Sequence, residues 1–420
     1  MDQLALFWQE LSARPDFWGF ISIPLVAAIV TWLHVWWAMQ MVFYPLEFIG
    51  LTVPTGQGRG LHVFGWQGII PRKARKMSDI VVERVISRVG SVGDFMRQME
   101  PEKVGRFVAK SVESHIEEYT DEVMCERNSL LWENLPVRIK RRVYAHVRRH
   151  LPDVMEGLVQ AIIGDIEELV DVKEMCGRQM EKDKALVVRI FQEVGDKEIR
   201  FIINASFWIG LAFGVLQMAL FYFLPWHGLL PVYAAVLGLL TNWIALSMVF
   251  RPVNPVKIGP FTLQGLFLRR QQQVAEKFAA LTSQEMLTIG RFMQEVLTGE
   301  RSGRTKQLIR RHVSNMVDFS PLARTGAQLA FGPAGFADLK TTIVDKSARM
   351  ALEPLESKSF NRERADVLAT LFAGKMKEMT PNEFQDLLRP AFQEDEWILL
   401  VLGALTGLAA GIVQLMLGFQ

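Results

Sequence analysis

Gly210–Gln217 reads GLAFGVLQ, and Gly407–Gln414 reads GLAAGIVQ. The two octapeptides stand 197 positions apart, each inside a long apolar run and each ending in an amide. The register holds beyond them. At the same offset Gln67-Gly68-Ile69-Ile70 meets Gln264-Gly265-Leu266-Phe267, Arg72-Lys73 meets Arg269-Arg270, Phe95-Met96 meets Phe292-Met293, and His115 meets His312. Upstream, after a small insertion, Met41-Val42-Phe43-Tyr44-Pro45 meets Met248-Val249-Phe250-Arg251-Pro252, with Trp36 against Trp243 and Ala38 against Ala245. A chance likeness drifts in register, and this one does not. The sequence reads as a tandem duplication.

The duplicated unit is built on membrane-length segments. Four runs reach the roughly 20 mostly apolar residues that a bilayer crossing requires. They are expected at about 17–43, 203–224, 229–250 and 397–419. Only Pro225, Trp226, His227 and Gly228 separate the second from the third, which makes those two a tight hairpin. Phe17, Trp18, Phe207, Trp208, Tyr222, Trp226 and Trp397 crowd the ends of these runs, as interfacial rings do. The first run is unlike a secretory signal, because Asp2, Glu10 and Asp16 precede it against Arg14 alone.

The expected fold is therefore mainly α, a multi-pass membrane protein with four transmembrane helices and two helical regions outside the bilayer. Residues 1–224 form the first repeat unit, with its helical region at 44–202. Residues 229–420 form the second, with its helical region at 251–396. Each unit is a span, an M-V-F-x-P exit, a short extended stretch, a basic turn, a charged region and a returning span. Both units enter from the same side, so the repeat is parallel, about an axis along the membrane normal.

Charge gives the expected sidedness. The loops carry Arg72, Lys73, Arg75, Lys76, Lys197, Arg200, Arg251, Lys257, Arg269 and Arg270 near span ends, while the terminal side carries Arg14. The positive-inside rule then places both large loops in the cytoplasm and both termini outside. Composition agrees with a few spans plus much water-facing mass: half of the 420 residues are hydrophobic and 22% are charged. A net charge of +2 gives no electrostatic case for nucleic acid. Cys125 and Cys176 form neither a disulfide framework nor a metal motif, and read as reduced thiols.

Gly210 and Gly214 make a GxxxG, copied by Gly407 and Gly411 and extended by Gly403. Such glycines let helix backbones approach where lipid provides no hydrophobic drive. Gln217 and Gln414 lie two turns further along, on nearly the same face. These residues predict that spans two and four pack together at the centre, with the two amides bonding across the axis. His34 and Asn242 are further polar candidates within the spans. They line a path between spans one and three, or simply hydrogen-bond between helices. The basic turns Arg72-Lys73-Ala74-Arg75-Lys76 and Arg269-Arg270 either grip anionic lipid headgroups or serve only as topology determinants.

Outside the spans, apolar residues at helical spacing (Ile80, Val81, Val85, Ile86, Val89; Leu308, Ile309, Val313, Met316) predict helices. Pro101, Pro136, Pro152, Pro321, Pro333 and Pro381 are expected to cut them to moderate length. Residues 48–53 with 61–64, and 256–258 with 261–263, predict two small β-hairpins. The basic stretch from Arg138 to His150 reads as a solvated helix face, or else lies on the membrane or contacts an acidic partner.

Motifs for catalysis are missing: HExxH, GxSxG and the P-loop do not occur, and 299–306 lacks the GK[ST] that holds phosphate. Gly56-Gln-Gly-Arg-Gly60 is a loop, not a dinucleotide turn. His146 and His150 share a helix face but no carboxylate or cysteine completes a metal site. The expectation is a non-enzyme with no cofactor and no metal.

The stretch LLTNWIALSMVFRPVNPVKIG, together with the closing spans EIRFIINASFWIGLAFGVLQ and EDEWILLVLGALTGLAAGIVQ, resembles the bacterial domain-of-unknown-function family of YheB-type and YjiN-type inner-membrane proteins. Thr241, Asn242, Ala245, Met248, Phe250, Pro252, Gly407, Gly411 and Gln414 carry the likeness, which spans most of the chain. The first unit departs from it: Thr31-Trp32 stands where Thr-Asn is expected, and Ser206 replaces the glycine at Gly403. The resemblance implies a bacterial inner membrane and no particular activity. Two roles follow. One is a membrane-anchored scaffold or adaptor whose cytoplasmic lobes bind a protein partner or the inner leaflet. The other is a transporter or lipid-handling protein, with so few spans that it acts as a dimer. The expected partners are membrane lipids, and a protein partner or second copy of the chain.

Overall fold

Among the described residues, four helices are long and apolar enough to cross a membrane: α1 (Phe17–Phe43), α2 (Lys184–Phe223), α3 (Leu230–Phe250) and α4 (Glu396–Met416). The computed structural model describes residues 17–54, 60–86, 91–98, 100–223, 227–318, 332, 334–346, 354–355, 357–389 and 393–416. Expectations for the acidic segment before Phe17, residues 56–59, Pro225, Trp226, Pro321, Pro333, residues 417–419 and the side chains of Trp18 and His312 lie outside the described residues.

The described chain is mainly helical, as the helical spacing of its apolar residues predicts. The helix carrying span two begins well before the expected boundary at 203: α2 runs 40 residues from Lys184, about 60 Å at 1.5 Å per residue. Nothing in Lys184–Arg200 breaks it. Val187, Val188, Ile190 and Val194 are buried at helical spacing, so the amphipathic stretch runs straight on into the apolar one. Proline behaves unevenly. Pro101 and Pro381 open helices at their first turn, where a missing N–H costs nothing. Pro152, expected to cut a helix, lies inside Val137–Gly164, and that helix continues through it for 28 residues.

The hairpins form where the alternation places them. β1 (Ile49–Pro54) pairs antiparallel with β2 (Gly60–Trp66), with an irregularity between Leu51 and Thr52. β3 (Val256–Ile258) pairs with β4 (Phe261–Leu263). Each is anchored to the helix exit before it. The Gly68 N–H donates to the Pro45 carbonyl at 3.0 Å, and the Gly265 N–H to the Pro252 carbonyl at 2.9 Å. The Gln67 amide donates to the Leu46 carbonyl at 2.7 Å, and that of Gln264 to the Val253 carbonyl at 3.2 Å. Gly68 and Gly265 are required by contact. A Cβ on either would lie 2.7 Å from the main chain of Phe43 or Phe250.

The chain divides into two compact units, each drawing on both halves of the sequence. The first comprises 1–77, 180–274 and 378–420, and contains the four long apolar helices and both hairpins. Within it α1 packs chiefly along α2, and α3 chiefly along α4. The second comprises 78–179 and 275–377. There Pro101–Glu113 packs along Val137–Gly164, and the Phe107 and Phe360 rings stack at 3.9 Å. Trp132 is fully buried, its indole N–H donating to Asp121 at 2.9 Å, with the Tyr144 hydroxyl donating to the same carboxylate. Arg138, Arg141, Arg142, Arg148 and Arg149 stand exposed, as a solvated basic face requires. The His146 and His150 rings lie 4.4 Å apart at a tilt of 42°, and no group of metal-ligating side chains occurs among the described residues.

The two cysteines differ sharply. Cys176 is buried among the apolar side chains of the second unit, and burial pushes its thiol up to about 12. Cys125 is only half-buried. A thiolate-selective alkylating reagent at pH 8 is expected to modify Cys125 and spare Cys176 in the folded protein, because the thiolate is the nucleophile. Peptide mapping reads the result, and equal labelling of the two would contradict it.

Candidate functional site

The glycines come together with small residues of a neighbouring helix, though not the helix expected. A Cβ on Gly210 would lie 2.7 Å from Thr31, and one on Gly214 would lie 2.5 Å from Pro24; both neighbours are on α1. A Cβ on Gly407 would run into the Ala234 carbonyl, and one on Gly411 would lie 2.5 Å from Pro231; both are on α3. Gly403 meets Gly238 and Asn242 of α3. Spans two and four are thus not each other's main partner, which corrects the expected central pairing. Each instead buries its glycine face on the small-residue face of the long apolar helix that precedes its loop, α1 for α2 and α3 for α4. Pro24-x-x-Ala27 of α1 and Pro231-x-x-Ala234 of α3 supply those faces. Cysteines at positions 24 and 214 are expected to cross-link in the membrane, and cysteines at 214 and 411 are not. The opposite pattern would restore the 2–4 seam.

Where the four helices meet, a cavity of about 30 Å³ is lined by Thr31, His34, Gly210, Gln217, Gly407 and Gln414, among others. That is room for one or two water-sized groups. Both glutamines reach it, from α2 and from α4, as the shared register predicts. They are buried, at 2% and 5% exposure, but the Gln217 Nε2 has no hydrogen-bond partner among the described residues.

Beside the cavity, polar side chains tie three helices. The Asn242 amide nitrogen of α3 donates to the Leu399 carbonyl of α4 at 2.6 Å. Its Oδ1 therefore faces His34 of α1, and the His34 Nε2 donates to it at 3.0 Å. Both side chains are buried. The sequence left two readings of this pair, a path or a bond between helices, and the geometry is the bond. Asn242→Leu removes both hydrogen bonds, each worth about 0.6 kcal/mol on average inside a membrane bundle. A loss of about 1–2 kcal/mol in denaturant titration is the expected outcome, and an unchanged midpoint would dispose of the tie.

The basic turns lie at the exits from α1 and α3, and most of their charge is met within the chain. Arg72 pairs with Asp395 at 2.7 Å. Lys73 pairs with Glu394 at 2.7 Å and with Asp395 at 3.0 Å. Lys76 pairs with Glu394 as well, and Arg75 with Glu181 at 3.4 Å. Lys73 and Lys76 hold the Glu394 carboxyl down at about 2. Arg270 pairs with Glu198, which is 2% exposed. Arg269 is exposed. The acidic partners were not anticipated. The signal for them was present, because Glu198 and Asp395 stand 197 positions apart, the same spacing as Lys73 and Arg270.

No family model, curated protein or solved structure matches the chain.

Proposed function

We propose that the chain is an integral protein of a bacterial inner membrane, a duplicated four-span anchor that presents helical lobes to the cytoplasm as a scaffold or adaptor. The loop cations near the span ends support that sidedness, with both termini outside. The duplication is supported by contacts that repeat with the register. Lys73 reaches Asp395 while Arg270 reaches Glu198, so each half's basic turn holds the other half's carboxylate.

One observation carries the anchor reading over a conduit. The apolar helices close on each other through glycine, and the space left at their meeting point is only about 30 Å³. Solutes larger than water have no room there. The reading assigns no catalytic residue. Its test is photo-cross-linking in living cells from Arg141, Arg148 and Arg311, replaced one at a time by a photoreactive residue. A discrete protein adduct is the expected result. Adducts to lipid alone, at every position, would overturn it in favour of the second reading. That reading, a transporter or lipid-handling protein acting as a dimer, is favoured by the convergence of His34, Gln217 and Gln414 inside the bundle.

A further inference from the structure

The outward face of α2 carries polarity that membrane packing does not explain. Lys197, Arg200, Asn204 and Trp208 fall on one exposed stripe, the last three at four-residue spacing. Arg200 is the last charged residue before the apolar stretch that ends at Phe223. It sits where a helix passes from headgroups into hydrocarbon. Its carboxylate partner among the described residues is Asp196, 2.8 Å away and one turn back on α2. Lys197 has no carboxylate partner among the described residues, so the cluster keeps one net positive charge. One turn further in, the Asn204 side chain is exposed and makes no hydrogen bond among the described residues. A bare amide facing hydrocarbon is costly. One turn beyond that, Trp208 is 68% exposed. Asn204, Phe207 and Trp208 form one wall of an open groove of about 520 Å³, and Ile29 and Trp32 of α1 form the other.

The other half of the chain provides the comparison. At the 197-residue offset, Lys197, Arg200, Asn204 and Trp208 become Glu394, Trp397, Val401 and Leu405. Across the groove, Ile29 and Trp32 become Val236 and Leu239 in the shifted frame of the exit motif. The buried glycines and glutamines are written in both halves, while the cations, the amide and the indoles are written in one. A helix of this kind therefore spans without them.

We infer that this groove is a binding site for one glycerophospholipid with an anionic headgroup. The phosphate sits on Lys197 and Arg200. The Asn204 Nδ2 donates to an ester carbonyl about 6 Å deeper along the helix. An acyl chain lies in the groove between Trp208 and Trp32, reaching about 12 Å beyond Arg200 at Trp208. The net charge of the cluster selects an anionic lipid over a zwitterionic one. The site rests on the reading of α2 as a membrane span.

The test is native mass spectrometry of the full chain in mild detergent, titrated with a phosphatidylglycerol carrying palmitoyl and oleoyl chains. One adduct is expected to form well before any second. The double variant Lys197→Ala/Arg200→Ala is expected to weaken it about 20- to 30-fold, at roughly fivefold per interfacial charge. Asn204→Leu is expected to weaken it about fivefold, the worth of one hydrogen bond. Arg200→Lys, which keeps the charge, is expected to bind within about twofold of the parent, and so is Leu405→Ala on the opposite face. All of these positions are exposed, so the variants are expected to keep the parent's melting temperature. Parental binding by the double variant overturns the site, and so does an equal loss from Leu405→Ala. A second copy of the chain filling the groove, seen as a cross-link between positions 208 of two chains, overturns it too. Release of the chain from membranes by alkaline carbonate would instead remove the membrane reading itself.

Discussion

Arg270→Ala is expected to cost about 3–5 kcal/mol of unfolding free energy, the penalty for stranding one partner of a buried ion pair. Glu198 is the group stranded. Its side chain is 2% exposed and its ion-pair partner is Arg270, itself held by Gln273 at 2.7 Å and 2.9 Å. Removal of the guanidinium leaves a carboxylate shielded from solvent and with no cation among the described residues. The matching change in the other half, Lys73→Ala, is expected to cost much less, because Asp395 keeps Arg72 at 2.7 Å. Glu198→Gln placed on top of Arg270→Ala is expected to recover most of the loss, since a neutral amide is far cheaper to bury than a charge. Denaturant titration in a fixed detergent, with both single variants and the double, measures the cycle. If Arg270→Ala loses no more than Lys73→Ala, Glu198 is hydrated and the pair is an ordinary surface one, worth about 1 kcal/mol or less.

That asymmetry was hidden in the sequence for a physical reason. Basic residues just past an apolar run look alike whether they meet lipid phosphate or a carboxylate of the same chain. Lys73 and Glu394 are 321 positions apart, so nothing local joins them. The parts of the fold set by local chemistry were legible. Alternation placed β3 and β4 to the residue, and apolar length placed the four spanning helices to within a few residues, apart from the start of α2. At Arg200 composition switches from charged to apolar, which reads as a boundary, yet helical hydrogen bonding is indifferent to that switch and α2 runs through it. The partner of each glycine face was the largest miss. GxxxG states that a backbone will come close but not which one. The complementary signal lay in α1 and α3, where Pro24, Ala27 and Thr31, and Pro231, Ala234 and Gly238, repeat small or slender residues at helical spacing. His34 and Asn242 were legible as buried polar groups, because an amide and an imidazole in apolar helices need partners. The Leu399 carbonyl that orients Asn242 is a backbone group, which no residue pattern announces.

Gly407→Val is expected to disable the α3–α4 pair, with a cost at or beyond the upper end of the roughly 1–3 kcal/mol typical of overpacking. The reason is what the new atoms would meet. At Gly407 the obstacle is the Ala234 carbonyl with the Ala235 Cα behind it at 3.2 Å. A backbone cannot rotate aside, so α3 must move, and with it the Asn242 contact to Leu399. At Gly210, the matching position in the other pair, the nearest obstacle is the Thr31 Cβ at 2.7 Å, with the Ala27 carbonyl at 3.0 Å. A Cβ is fixed by its own backbone, but this approach is looser than the one at Gly407, so α1 and α2 need to part by less. Gly210→Val is therefore expected to be the milder of the two. Gly374→Ala is the control for generic effects of glycine replacement, since nothing lies within 4 Å of its added Cβ. It is expected to stabilise its helix by about 0.5–1 kcal/mol, the ordinary gain from glycine to alanine in a helix. Melting in detergent, with size-exclusion profiles to detect splayed helices, ranks the three. The ranking Gly407 worst, Gly210 intermediate, Gly374 improved would mean that the α3–α4 pair is closed more tightly than the α1–α2 pair. Parental stability for Gly407→Val would mean that α4 does not lie on α3 at Ala234. The Asn242 hydrogen bond to Leu399 would then lose its support as well, because both contacts require the same helix pair.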